Sequence, residues 1–131
     1  MTVSKLIIIA SHVPIFFAAI YALIIYRQLR YELKIFSWFL FLAGILQLIS
    51  LLLWMKRINN LPVLHLYVPA SFVSLALFYD AIMKGFIHRQ LIRIIIVLFV
   101  LASILNSVFI QEIHTFNSYA LTLESVLLIV L

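Results

Sequence analysis

The chain has 131 residues; 67% are hydrophobic and 10% charged, with two Gly, three Pro, no Cys and a formal net charge of +5, and its mean hydropathy is +1.28. Water-soluble domains run at about 45–50% apolar and about 25% charged residues, and a globule this small leaves much of its area exposed, so a soluble enzyme, a nucleic-acid-binding domain and a disordered tail are excluded. Without Cys there is no disulfide framework, zinc–thiolate site or Cys nucleophile, and the class that remains is an all-α integral membrane helical bundle.

A helix needs about 20 mostly apolar residues to cross the hydrocarbon core. Leu6–Tyr26 supplies the first such run. Lys5 followed by an apolar stretch has the outline of a signal peptide, but the stretch is too long, and Tyr26-Arg27-Gln28-Leu29-Arg30 closes it as a membrane stop. Ile35–Met55 is the second run, stopped by Lys56 and Arg57. Leu61–Met83 is the third, opened by Asn59, Asn60 and Pro62 and closed near Lys84. Leu91–Ile110 is the fourth, and Phe116–Leu131 starts a fifth. That last run lacks the polar residues that close the other four, so the expectation is five transmembrane helices belonging to a larger, seven-helix bundle. The runs are apolar on all sides, as in Ile7-Ile8-Ile9 and Ile94-Ile95-Ile96, whereas barrel strands alternate apolar and polar.

Basic residues near span ends set orientation. Arg27, Arg30, Lys34, Lys84, Arg89 and Arg93 fall on one side, and Lys5, Lys56 and Arg57 on the other. The first side is expected in the cytoplasm and the N-terminus outside, in a cell inner membrane. Short connections force antiparallel neighbours in a single compact transmembrane domain. Trp38, Trp54 and Tyr67 read as an interfacial aromatic belt. Asp80 and Lys84, four apart, have the spacing of a helical ion pair. Pro14 and Pro69 should bend their helices, and Ser11, Ala18 and Ala22 form a small-residue stripe suited to close helix approach.

Polar side chains within a membrane are costly and mark candidate sites. Counted from the outer end of each run, His12, Gln47, His65, Asn106, Asn117 and Glu124 all lie in the outer half, with Ser50, Ser71, Ser103 and Ser107 near them. The inner half is nearly all aliphatic and aromatic. This asymmetry predicts one outward-facing polar pocket centred on Glu124, with His12 and His65 as partners of its carboxyl group. The competing reading makes the same residues helix–helix hydrogen bonds. No His-x-x-x-His or His-Glu-x-x-His spacing supports a metal, and no Gly-x-Ser-x-Gly turn supports a nucleophile, so neither a cofactor nor enzymatic activity is expected.

Two stretches carry a resemblance. Asn59-Asn60-Leu61-Pro62-Val63-Leu64-His65-Leu66-Tyr67 and Phe116-Asn117-Ser118-Tyr119-Ala120-Leu121-Thr122-Leu123-Glu124-Ser125 resemble a family of uncharacterised multi-pass membrane proteins of Bacteroidota with six or seven spans. The resemblance covers essentially the whole chain and implies one or two further spans and no established activity. It points to His65, Asn117 and Glu124. An acidic residue expected soon after the His-x-Tyr is replaced by Ala70-Ser71-Phe72, which removes two-carboxylate chemistry. The functional expectation is a receptor-like or sensory module that binds a small molecule in the lipid bilayer. The alternatives are an accessory subunit, held by membrane-protein partners or a second copy, and a small-solute transporter.

Overall fold

A computed structural model describes residues 3–84 and 88–131. Among them the chain is all-helical. The helices are α1 (Val3–Ile25), α2 (Tyr31–Met55), α3 (Leu61–Ile82), α4 (Arg89–Leu105) and α5 (Ser118–Val130). A short 3-10 turn, Tyr26–Gln28, follows α1, and a π-turn, Asn106–Ile110, extends α4. Four of these segments are long and apolar enough to cross a membrane; α5 is shorter. The helices begin a few residues before the apolar runs at Val3, Tyr31 and Arg89, because polar first-turn residues such as Glu32 are tolerated at a helix start. α1 and α3 continue through Pro14 and Pro69.

Two connections share one end of the bundle, which we call the upper end: the side chain of Asn59 donates to the His114 carbonyl at 3.0 Å. The same Asn59 opens α3, its Oδ1 accepting from the Leu61 N–H at 3.0 Å, and Pro62 sits in the first turn, where its missing N–H is not needed. At the lower end Lys84 reaches Glu32 at 2.9 Å. This replaces the Asp80–Lys84 pair expected from spacing. The first turn of α2 lies beside the last turn of α3, and Asp80 instead lines a lower-end cleft with Arg89 and Arg93.

α3 is the hub, packing on α2, α4 and α5, while α1 packs chiefly on α2. Val68, Phe72 and Ala76 recur every four residues along α3, and all three are fully buried, forming one ridge. Ile92 and Phe99 of α4 and Ala120 of α5 close over it. The rings of Phe72 and Phe99 stack with centroids 4.1 Å apart. The α1–α2 contact is made by small residues, as expected, but not along the whole predicted stripe. Ala22 is buried against a helix whose Ala43 and Gly44 are also buried, whereas Ser11 is exposed. A Cβ on Gly44 would lie 3.6 Å from that of Ala19.

The tilted Phe72–Phe99 ring pair lies in the buried core. Phe72→Ala should destabilise the bundle by about 3–5 kcal/mol, read as a lowered melting temperature in detergent. Lys84→Ala, which breaks a solvent-exposed pair, should leave the melting temperature nearly unchanged.

Candidate functional site

The polar residues singled out by depth do not share one cavity. They divide among three places, and the largest group joins α3, α4 and α5 at the upper end. His65 is buried. Its Nε2 lies 3.0 Å from the Thr115 carbonyl, which can only accept, so this nitrogen carries the proton. Its Nδ1 therefore accepts from the Ser107 hydroxyl, 2.7 Å away. One imidazole thus ties α3 to the π-turn and to the connection before α5.

Asn106 and Asn117 form the second tie. The Asn106 amide donates to Asn117 Oδ1 at 2.9 Å and to Gln111 Oε1 at 3.0 Å. Gln111 fixes which way round these amides stand. Its Oε1 accepts from the Tyr119 N–H at 3.2 Å, and its Nε2 donates to the Phe116 carbonyl at 3.2 Å and to Ser118 Oγ at 3.0 Å. Reversing Gln111 would set donor against donor and acceptor against acceptor. The orientation of Asn106 follows from Gln111, and that of Asn117 from Asn106. Gln111 has no sequence signal beyond its place after an apolar run, and sequence reasoning missed it.

Glu124 is buried on α5, and its partner is Ser71 of α3. Neither imidazole reaches it, which corrects the expected His12 and His65 pairing. Ser71 Oγ also lies 2.9 Å from the Val68 carbonyl. A hydroxyl has one proton, so Ser71 can donate to the Glu124 carboxyl or to the Val68 carbonyl, one at a time.

The other two predicted residues lie elsewhere. His12 turns onto its own helix, with Nδ1 donating to the Ile8 carbonyl at 2.6 Å. α1 packs chiefly on α2, and the recorded bonds of the imidazole stay within α1. Gln47 lines a separate cleft of about 280 Å3 between α2 and α3, with Ser50, Asn60 and Tyr67. Asn60 donates across that cleft mouth to Ser50 Oγ at 2.8 Å. Among the described residues no three His, Asp or Glu side chains gather where a metal could be held.

Among the described residues, three buried polar atoms lack a partner: Ser103 Oγ, Asn106 Oδ1 and Asn117 Nδ2. Ser103 stands apart from the other helical hydroxyls. Ser11, Ser37, Ser71, Ser74, Thr122 and Ser125 each donate to a carbonyl three or four residues earlier. Ser103 is 2% exposed and does not. It lines a cleft of about 250 Å3 between α3 and α4, together with His65, Ser107, Pro69 and aliphatic side chains. Pro69, on the wall of this cleft, has no N–H to offer the His65 carbonyl four residues earlier.

No family model, curated protein or solved structure matches this chain.

The Glu124–Ser71 contact separates two substitutions. Glu124→Gln keeps a polar group able to bond the Ser71 hydroxyl and should cost less than about 1 kcal/mol. Glu124→Ala removes a buried interhelical bond and leaves space on α5, so it should cost about 1–3 kcal/mol. Thermal unfolding of both variants in one detergent checks the order.

Proposed function

We propose that this protein is a receptor-like integral membrane protein of the cytoplasmic membrane. In this reading the four long apolar helices cross the bilayer with the upper end and the N-terminus outside. The cleft between α3 and α4 takes a small, mostly apolar molecule that carries one hydrogen-bonding group. The embedding is supported by helix length, by composition and by the many large apolar side chains left facing outward, such as Phe17, Ile24 and Val97. Orientation is supported by six Lys and Arg at the lower end against three at the upper.

The observation that carries the ligand reading is Ser103. A buried hydroxyl without a partner costs about 1–3 kcal/mol, and native interiors leave few such groups. Ser103 makes no bond to its own helix of the kind Ser11, Ser37, Ser71, Ser74, Thr122 and Ser125 make, and it stands in the wall of a cleft. The cleft is smaller than the roughly 300–1,000 Å3 of drug-sized sites, which sets the ligand size. Its walls are chiefly aliphatic, including Leu66, Ile104 and Val108, which sets the ligand polarity. These three are also more than half exposed on the flank of the bundle, so entry is lateral, from the lipid side.

A second reading has its own observation. The hydrogen bonds of His65, Asn106, Asn117 and Glu124 all join one helix or connection to another, which suits an accessory subunit whose polar residues only hold its shape.

Native mass spectrometry of the full chain, purified from its own membranes, distinguishes the two. The ligand reading expects a small-molecule adduct on the wild type, weakened in Ser103→Ala and absent in Ser103→Leu, whose side chain fills the cleft. Ser103→Ala removes the unpartnered hydroxyl and should raise the stability of the ligand-free protein, by up to about 1–3 kcal/mol. A wild type without adduct, or an adduct indifferent to both substitutions, overturns the ligand reading. Because the chain has no Cys, single cysteines test orientation directly. Glu112→Cys should react with an impermeant maleimide applied from outside the cytoplasmic membrane, and Gln28→Cys only after lysis.

A further inference from the structure

The upper end of the α1–α2 pair holds a second feature, unconnected with Ser103. A cavity of about 350 Å3 is lined by Lys5 and Ile9 of α1, by Trp54 and Met55 of α2, and by Arg57 just beyond. Its two polar members are both cations. Neither the Lys5 ammonium nor the Arg57 guanidinium has a side-chain hydrogen bond or ion pair among the described residues. The chain has four acidic residues, and none lines the cavity. Glu32 is paired with Lys84 and Asp80 lines the lower-end cleft; Glu124 is buried on α5. Glu112 shares the upper end, in the connection before α5, without an ion pair. Two like charges facing one cavity repel, and an anion between them removes that cost.

The backbone at Arg57 adds a second observation. α2 ends with the Ile58 N–H bonded to the Leu53 carbonyl at 2.9 Å and the Arg57 N–H to the Trp54 carbonyl at 3.0 Å. This is the helix stop in which glycine is the favoured residue, because the position is left-handed. Arg57 occupies it at φ 58°. A residue that prefers to avoid this conformation stands at this position, and its side chain lines the cavity with Lys5.

Below the cavity the same helix pair offers an apolar groove of about 380 Å3, lined by Phe16, Ile20 and Leu23 of α1 and by Phe41, Ile45 and Leu48 of α2. Lys5, Ile9, Phe16, Ile20 and Leu23 follow one another at intervals of four, seven, four and three, which places them on a single helical stripe. Phe41, Ile45, Leu48 and Met55 do the same on α2 at intervals of four, three and seven. The seven residues from Ile9 to Phe16 span about 10 Å. A doubly cationic cavity at the membrane surface, continued inward by an apolar trough on the same face, has the charge and the shape of a phospholipid.

We propose that the α1–α2 pair binds one phospholipid at its upper end, with Lys5 and Arg57 holding the phosphodiester, the Trp54 ring beside it and an acyl chain in the groove below. The proposal rests on the membrane-embedded reading but not on the ligand cleft.

The test is a titration of the detergent-purified full chain with short-chain phosphatidylglycerol, followed by thermal shift. The wild type should be stabilised in a saturable way. At about 1 kcal/mol per basic residue near the phosphates, Lys5→Gln and Arg57→Gln should each weaken the apparent affinity about fivefold, and the double variant about thirtyfold. Arg57→Gly is the control for folding. Glycine suits the left-handed position, so this variant should melt no lower than the wild type without lipid, yet lose affinity as Arg57→Gln does. Inorganic phosphate titrated alone should give no saturable shift. A wild-type response matched by the double variant, or by Arg57→Gly, overturns the site, as does the absence of any lipid response. A saturable response to inorganic phosphate equal to that of the lipid overturns the lipid and leaves a free-anion site. Alkaline extraction of membranes carrying the double variant keeps the premise separate. Release of the protein into the soluble fraction would count against the embedded reading itself, whereas retention with lost lipid binding supports the site.

Discussion

The architecture depends on one constraint. Polar groups inside a bundle of this composition have almost nothing to bond with except one another. A buried amide or hydroxyl without a partner costs about as much as a substantial part of a small protein's net stability. Each polar side chain that enters the interior therefore dictates where a neighbouring helix can stand. His65 shows the consequence most directly, because both of its ring nitrogens are used and each bond ends on a different segment. Sliding α4 by one turn along α3 would break the Ser107 bond, and moving the connection before α5 would break the Thr115 bond. Gln111 performs the same service one layer up. It uses its oxygen and its nitrogen on four groups and so fixes the start of α5 relative to the π-turn. The wide turn at Asn106–Ile110 brings Asn106 and Ser107 to face two different partners, one on α5 and one on α3.

This explains how much could be read from the residues alone. Helix number and approximate extent follow from uninterrupted apolar length, and the upper-end clustering of polar residues follows from counting along each run. Partner identity does not follow, because it depends on the rotation of each helix about its axis, and leucine-rich helices that are apolar all round carry no stripe to fix that rotation. Glu124 illustrates the gap. A carboxyl group in an apolar helix invites an imidazole partner, and two imidazoles stood at similar depth. The α3–α5 contact instead presents Ser71, two turns along α3 from His65, while His12 sits on a helix separated from α5 by α2 and α3. Lys84 is a second case. Asp80 is four residues away in sequence and Glu32 is fifty-two, yet α2 brings Glu32 alongside in a position where only 19% of its side chain remains exposed.

The fold also separates two regimes of packing. Around α3 the interior is tight, with Val68, Phe72 and Ala76 fully buried, and polar contacts knit three helices. α1 leans chiefly on α2, through small residues, and keeps most of its surface outward. The two proposed sites fall one in each regime and use different physics. Ser103 is a single orphan hydroxyl in an aliphatic cleft, where specificity comes from one hydrogen bond and from shape. Lys5 and Arg57 are exposed cations at an end of the bundle, where attraction is long-ranged and weakly directional.

The segment between α2 and α3 touches both regimes. Arg57 stands two residues before Asn59, which holds the His114 carbonyl, and three before Asn60, which holds Ser50. His114 neighbours Thr115, the acceptor for His65. A continuous chain of bonded residues thus runs from the cationic cavity to the wall of the α3–α4 cleft. Continuity alone is not coupling: linkage between two sites requires an element with two arrangements that each ligand favours differently. The helix stop at Arg57, closed by two backbone bonds, and the Asn59 clamp, closed by two side-chain bonds, each define a single arrangement. On that geometry the connection acts as a strut, which holds the upper ends of α2, α3 and α5 in register.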